Sequence, residues 1–261
     1  MSEPKTPAAP QGEDSNRRGF FQKALPLALV SLVRGAQSGA ETKTAEEPKY
    51  DPAAHNYAMG VDPNKCIGCG RCVEACKTEN DVPREPFYFR TWVERYTIQR
   101  GGEVTVSSTN GGIDGFRPAS EAGLLRTFFV PKLCNQCAHP PCVQVCPVGA
   151  TFTTRDGVVL VDHKYCIGCR YCIQACPYGA RFLHPVTHTA EKCTFCYHRV
   201  VKGLNTACVE VCPTGARVFG DLKRPSSPLQ RFMRFNPIQV LKAHLNTEPK
   251  VYYANLDGKV G

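Results

Sequence analysis

Hydrophobic positions come in short bursts separated by polar stretches. Residues 1–16 are polar and proline-rich, with no periodicity. The apolar run Ala24 to Val33 follows, too short to span a bilayer. Arg34 closes it, and Ser38-Gly39-Ala40 offers small residues for cleavage. Residues 41–60 read as a polar linker. From Val61 to Leu222 the apolar positions are brief segments between cysteines. Thr151 to Thr153, the turn Arg155-Asp156-Gly157 and Val158 to Val161 predict a β-hairpin. Arg181 to Leu183 and Arg217 to Phe219 predict similar strands. Residues 77–133 form an insertion with strands near Phe87–Gln99. The tail, 223–261, has no apolar run long enough for a membrane helix, so no membrane span is expected.

Composition sharpens this outline. The 22 glycines and 21 prolines in 261 residues imply many turns and few long regular elements. The outlier is the count of 16 cysteines, which calls for disulfides or metal. The formal charge of +9 invites a nucleic-acid reading. Residues 1–40 contribute part of that excess, and four oxidised clusters with their thiolates would offset roughly −8 more. With no basic helix and no aromatic stacking platform, nucleic acid is not an expected partner.

The cysteines fall into four groups of four. The first is Cys66-x2-Cys69-x2-Cys72-x3-Cys76. The second is Cys134-x2-Cys137-x4-Cys142-x3-Cys146-Pro147. The third is Cys166-x2-Cys169-x2-Cys172-x3-Cys176-Pro177. The fourth is Cys193-x2-Cys196-x11-Cys208-x3-Cys212-Pro213. Groups one and three match the bacterial-ferredoxin run, in which three thiolates wrap one corner of a cubane and the fourth ligates the neighbouring cluster. An internal repeat agrees with duplicated units: Cys146-Pro-Val-Gly-Ala150, Cys176-Pro-Tyr-Gly-Ala180 and Cys212-Pro-Thr-Gly-Ala216 share one pentapeptide. Gly68 and Gly168 let backbone N–H groups approach the sulfurs. Structural zinc explains neither the third cysteine at the same interval nor Cys-Pro after x3. Cysteines at x2 make poor structural disulfides. Four [4Fe–4S] clusters use all sixteen cysteines with none left over, and no catalytic residue is expected. His139, His163, His184, His188 and His198 read as surface or hydrogen-bonded histidines, and Trp92 and Tyr96 as packing or a partner surface.

Two resemblances follow from these residues. Arg17-Arg18, the Phe at the second position after the pair and the modest apolar run resemble a twin-arginine export signal over 1–40, which implies a periplasmic protein. The four cysteine groups, with Asn80-Asp81-Val82-Pro83 after the first, resemble the four-cluster iron–sulfur subunits of membrane-bound respiratory complexes. That family includes the subunits beside dimethyl sulfoxide, polysulfide, tetrathionate and formate-dependent nitrite reductases. With Phe89-Arg90-Thr91-Trp92-Val93-Glu94-Arg95-Tyr96, the closest resemblance is to the DsrO-type subunits of DsrMKJOP complexes. The resemblance implies an α+β fold of two ferredoxin-like modules over 61–222, with residues 223–261 a partner-contacting extension. It implies one cluster on Cys66, Cys69, Cys72 and Cys212, and its mate on Cys76, Cys193, Cys196 and Cys208. A third takes Cys134, Cys137, Cys142 and Cys176, and a fourth Cys146, Cys166, Cys169 and Cys172. It also implies an NrfD-type integral membrane partner and a catalytic or cytochrome subunit, with single electrons relayed between them. The alternative is a freely diffusing exported polyferredoxin. Lys77 stands where the other groups have Pro, which is expected to loosen the exit from Cys76.

Overall fold

Tyr57–Val61 is buried at every position, the pattern of a strand covered on both faces. It is β1, inside the stretch that reads as a linker. Its short alternation explains the burial. Ala58 and Gly60 are small and face a helix whose Phe232 ring lies where a Gly60 Cβ would come within 2.6 Å. Tyr57, Met59 and Val61 face the main core. The computed structural model describes residues 50–85 and 87–260. The export signal and the first part of the linker lie outside the described residues.

The elements run β1 (Tyr57–Val61), α1 (Arg71–Glu79), β2 (Thr91–Gln99), β3 (Val104–Ser107), β4 (Leu124–Leu133), α2 (Pro141–Gln144), β5 (Thr151–Thr153), β6 (Val159–Val161), α3 (Tyr171–Gln174), β7 (Arg181–Leu183), β8 (Ala190–Lys192), α4 (Tyr197–Val200), α5 (Ala207–Glu210), β9 (Arg217–Asp221), α6 (Pro228–Phe235), β10 (Ile238–Gln239) and β11 (Val251–Ala254). Helices and strands are mixed in an α+β fold. The sheets are β10-β11-β1-β9, β3-β2-β4 and the hairpins β5-β6 and β7-β8. The hairpin expected at 151–161 is present, with Thr151 opposite Val161. The strand at Arg217 does not form a hairpin of its own; it pairs antiparallel with β1.

The tail contributes to this core. β11 lies parallel to β1, and Val251, Tyr253 and Ala254 are fully buried. The tail also clamps the loop that carries group two and the end of group three. Lys250 N–H donates to the Asn135 carbonyl at 2.8 Å, Ala138 N–H to the Glu248 carbonyl at 2.9 Å, and Lys242 Nζ to the Pro177 carbonyl at 2.8 Å. Residues 223–261 are therefore part of the scaffold, not solely an extension for partners. Sequence pattern conceals this because β11 is four residues long and Thr247-Glu248-Pro249-Lys250, which carries no hydrophobic alternation, precedes it.

Crowding at Gly60 gives a first testable expectation. Gly60→Val should destabilise the protein by about 1–3 kcal/mol through overpacking against Phe232. Thermal unfolding of Gly60→Val, Phe232→Ala and the double variant measures it. The pair should couple, with the double variant less damaged than the sum of the singles.

Candidate metal centres

The x3 spacing that closes group one has a direct structural meaning, because both of its cysteines lie on one helix. Residues four apart stand one helical turn apart on one face. Helix α1 buries Cys72 and Cys76 together with Val73 and Lys77. Its two cysteines nevertheless face two different cavities. Cys72 lines one with Cys66, Cys69 and Cys212. Cys76 lines another with Cys193, Cys196 and Cys208. A third cavity is lined by Cys134, Cys137, Cys142 and Cys176. Each set holds three cysteines from one group and one from the end of a different group.

Of the fourth set, the structure joins buried Cys172 to half-buried Cys166, in the apolar cluster that also holds Cys142. Cys169 is exposed and Cys146 half-buried. Helices α1 and α5 pack together, as do α2 and α3, which brings the closing cysteines of paired groups near one another.

The insertion walls the sites of the first module. Val93 and Pro131 line the Cys66 cavity, and Thr91 and Leu133 the Cys76 cavity. A Cβ at Gly68 would meet the Phe129 ring at 2.5 Å, so the aromatic seals the group-one loop. Gly168, at φ +69, would drive a Cβ onto the His188 carbonyl oxygen, which fastens the group-three loop to the β7–β8 turn.

Backbone donors explain the repeated pentapeptide. Its chain curls so that amides return to the sulfur of its own cysteine: Thr151, Val148 and Ala150 on Cys146, Ala180 and Tyr178 on Cys176, and Ala216, Thr214 and Arg217 on Cys212. Burial acts upward on the Cys146 and Cys212 thiols, yet these amides, together with the Thr214 hydroxyl on Cys212 and the Thr151 hydroxyl on Cys146, outweigh it and both are lowered. Burial pushes other thiols up: Cys66 to about 11, and Cys137 and Cys193 to about 12. Cys76, wholly buried beside Cys193, Cys208 and Cys196, is raised well above its ordinary value. Such a set resists carrying four negative charges alone, and the iron of a cubane removes that obstacle.

Group one ends differently. Lys77 does not loosen the exit from Cys76, because α1 continues past it to Glu79. Lys77 is buried, donates to the Pro83 carbonyl at 2.6 Å and the Glu85 carbonyl at 3.3 Å, and lies 4.4 Å from the Phe89 ring centre. Asn80 takes over sulfur contact. Its Nδ2 donates to Cys76 Sγ at 3.6 Å and Cys196 Sγ at 3.7 Å, while Arg90 fixes its Oδ1 at 3.0 Å. Asn80→Ala should leave iron content unchanged and lower the potential of one cluster, because N–H donors on sulfur favour the reduced state. A redox titration against wild type measures that shift. Thr247 is also invisible to sequence reasoning; it meets Tyr178 at 2.6 Å and donates to Cys137.

Among the described residues no three His, Cys, Asp or Glu side chains converge on a single ion. His163 lies 2.9 Å from Thr189 and His198 2.7 Å from Glu79. Trp92 donates to Glu94 at 2.8 Å, and Tyr96 stacks on Phe128.

The fit to an anionic group rests on charge. Arg217 is 2 % exposed, and its Nε and Nη1 have no hydrogen-bond partner among the described residues although it lines the Cys66 cavity. A buried guanidinium left so incompletely paired fits a site that carries negative charge. Arg181, also buried, donates from Nη2 to Cys142 Sγ at 3.0 Å.

Comparison with known proteins decides what the sites hold. Two family models, each described as a 4Fe–4S dicluster domain, match residues 65–150 and 125–222. The tetrathionate reductase B subunit of Salmonella typhimurium is 42% identical over 248 residues, which covers 94% of this chain and 90% of that protein. The chain belongs to this family of iron–sulfur electron-transfer subunits. Another tetrathionate reductase B subunit, from Archaeoglobus fulgidus, is 47% identical over 77% of this chain and 83% of its own length. Protein NrfC of Escherichia coli is 41% identical over 75% and 79%. Two dicluster domains and sixteen cysteines fit four [4Fe–4S] clusters, which supply one-electron chemistry at nearly fixed ligand positions.

Proposed function

We propose that the chain relays single electrons through ligand-swapped clusters, between an NrfD-type integral membrane subunit and a catalytic or cytochrome subunit. The observation that carries this reading is the lining of three cavities by three cysteines of one group and a fourth from another. Cys66, Cys69, Cys72 and Cys212 take one cluster; Cys76, Cys193, Cys196 and Cys208 its mate. Cys134, Cys137, Cys142 and Cys176 take the third, and Cys146, Cys166, Cys169 and Cys172 the last.

The chain itself performs no substrate chemistry in this reading. Every cluster has four cysteines, so none offers an open iron to a substrate. Its residues fix distance, exclude water and bias each potential. Cys69 and Cys169, the exposed cysteines, belong to the first and fourth sets, which suits electrons entering and leaving there. No helix of the described residues is long and apolar enough to cross a membrane, so attachment falls to the membrane subunit. Relatives named for tetrathionate reductase make oxidised sulfur compounds the first substrate class to test for the complex. The paired arginines at 17 and 18 support periplasmic placement by the twin-arginine route.

Fractionation tests the assignment. An affinity-tagged chain expressed in its own cells should appear in the periplasmic-facing membrane fraction and bring an integral membrane protein with it. Arg17→Lys/Arg18→Lys should hold the folded, cluster-loaded chain in the cytoplasm. A fully soluble periplasmic chain without a membrane partner would favour the diffusing polyferredoxin.

A further inference from the structure

Three of the most deeply buried cations in the protein lie between cysteine sets, and no two of them occupy the same gap. Arg217, Lys192 and Arg181 are 2 %, 1 % and 6 % exposed. Arg217 feels the charges of Cys72 and Cys66 on one side and Cys208 on the other, which joins the first set to the second. Lys192 donates to the Cys193 carbonyl at 2.8 Å and to the Val159 carbonyl. It stands near Cys193 of the second set and near Cys134 and Cys142 of the third. Arg181 bonds Cys142 of the third set and reaches Thr151 Oγ1 at 3.4 Å; Thr151 N–H donates to Cys146 Sγ at 3.5 Å. Cys172, also of the fourth set, is another of its charged neighbours.

Two of these residues carry a cost that needs explaining. Arg181 and Lys192 are direct cross-strand partners in the β7–β8 hairpin. Like charges opposite one another destabilise a hairpin, and burial multiplies the cost. Among the described residues neither has a carboxylate partner: their hydrogen bonds go to sulfur, a threonine hydroxyl and backbone carbonyls. The arrangement is tolerable only where negative charge lies on both sides. Arg181 and Arg217 also stand at equivalent places, each directly after a Cys-Pro-x-Gly-Ala pentapeptide, whereas Thr151 occupies that place after group two.

We propose that Arg217, Lys192 and Arg181 form an interleaved series of fixed positive charges, one between each successive pair of clusters, and that each holds up the potentials of its two flanking clusters. The proposal rests on the ligand sets given under Proposed function. A cation at fixed distance stabilises the more negative, reduced form of a cluster and so raises its potential. Shared between neighbours, it also offsets the repulsion that an electron on one cluster exerts on the next. Adjacent clusters can then hold electrons together, and transfer along the row meets smaller steps. These are positioning residues: none ligates iron and none changes oxidation state.

The test is spectroelectrochemical, on the complete cluster-loaded chain with iron content measured first. Arg217→Gln, Lys192→Met and Arg181→Gln should each keep all four redox waves and move two of them downward by at least a tenfold change in the one-electron equilibrium, 59 mV. The pattern of overlap is the decisive readout. The Arg217 and Lys192 variants must share one moved wave, and the Lys192 and Arg181 variants must share another. The Arg217 and Arg181 variants must share none. Lys192→Gln is read in the same way if Lys192→Met loads fewer irons. Arg217→Lys, Arg181→Lys and Lys192→Arg should stay near wild type; equal movement in these charge-keeping variants would make packing the cause and overturn the proposal. Unmoved waves, uniform movement of all four, or a wave shared by Arg217 and Arg181 would also overturn it. A variant set that keeps four waves but moves them in another overlap pattern rejects this inference and leaves the relay itself standing. Fewer than four waves in wild type would instead reject the relay.

Discussion

Cys176→Ser should remove the cluster walled by Cys134, Cys137 and Cys142, and leave the three other cysteines of its own group loaded. Cys176 lines that cavity although it closes group three in sequence. Serine is a poor iron ligand beside a thiolate, so the variant should lose about four irons of about sixteen, or one iron if a three-iron cluster survives. Double variants make the assignment independent of spectroscopy. Cys134→Ser/Cys176→Ser should lose no more than one cluster. Cys172→Ser/Cys176→Ser should lose two, because Cys172 belongs to the neighbouring set. The reverse pattern of iron loss would mean that each group keeps its own four cysteines.

Stripping iron with a chelator under reducing conditions should unfold most of residues 61–222. Helices α2 to α5 are each four residues long, and β5 to β8 three. Isolated helices and strands this short have no stability of their own. Nine of the sixteen cysteines stand in the packed apolar clusters, and several are thiols whose burial disfavours charge. Iron–thiolate bonds therefore hold elements that propensity cannot. Far-ultraviolet circular dichroism and limited proteolysis should show loss of structure in step with loss of the iron–sulfur absorbance. The sheet β3-β2-β4 should resist longest, since its pairing runs from Thr91 opposite Leu133 to Gln99 opposite Leu124 without a cysteine between them. An iron-free protein that kept its native spectrum would contradict this.

Cysteine spacing makes the cluster sites legible in the amino-acid sequence alone, because x2 and x3 encode reach: a loop around a cubane and one turn of helix. Three of the four cross-group sets implied by the family resemblance stand together in space. The pentapeptide repeat points to duplication, and its amides on Cys146, Cys176 and Cys212 give the physical reason. What escapes is non-local. β1 looks like linker because Ala58 and Gly60 are small, and only Phe232, far along the chain, explains why. The tail's β11 gains its burial from β1, which no window of local sequence contains. Lys77 breaks the Cys-Pro pattern, yet its ammonium finds carbonyls at Pro83 and Glu85 and tightens the segment. Arg181 and Arg217 read in sequence as the starts of strands. Their chemistry becomes visible only with the positions of the sulfurs around them.

Iron and acid-labile sulfide analysis of anaerobically isolated protein, followed by reductive titration with electron paramagnetic resonance, tests the central claim most directly. The account predicts about sixteen irons and about sixteen sulfides per chain, with four separately reducible one-electron centres. A natively folded chain with zinc or disulfides in place of iron, or with fewer than four reducible centres when fully loaded, would contradict it.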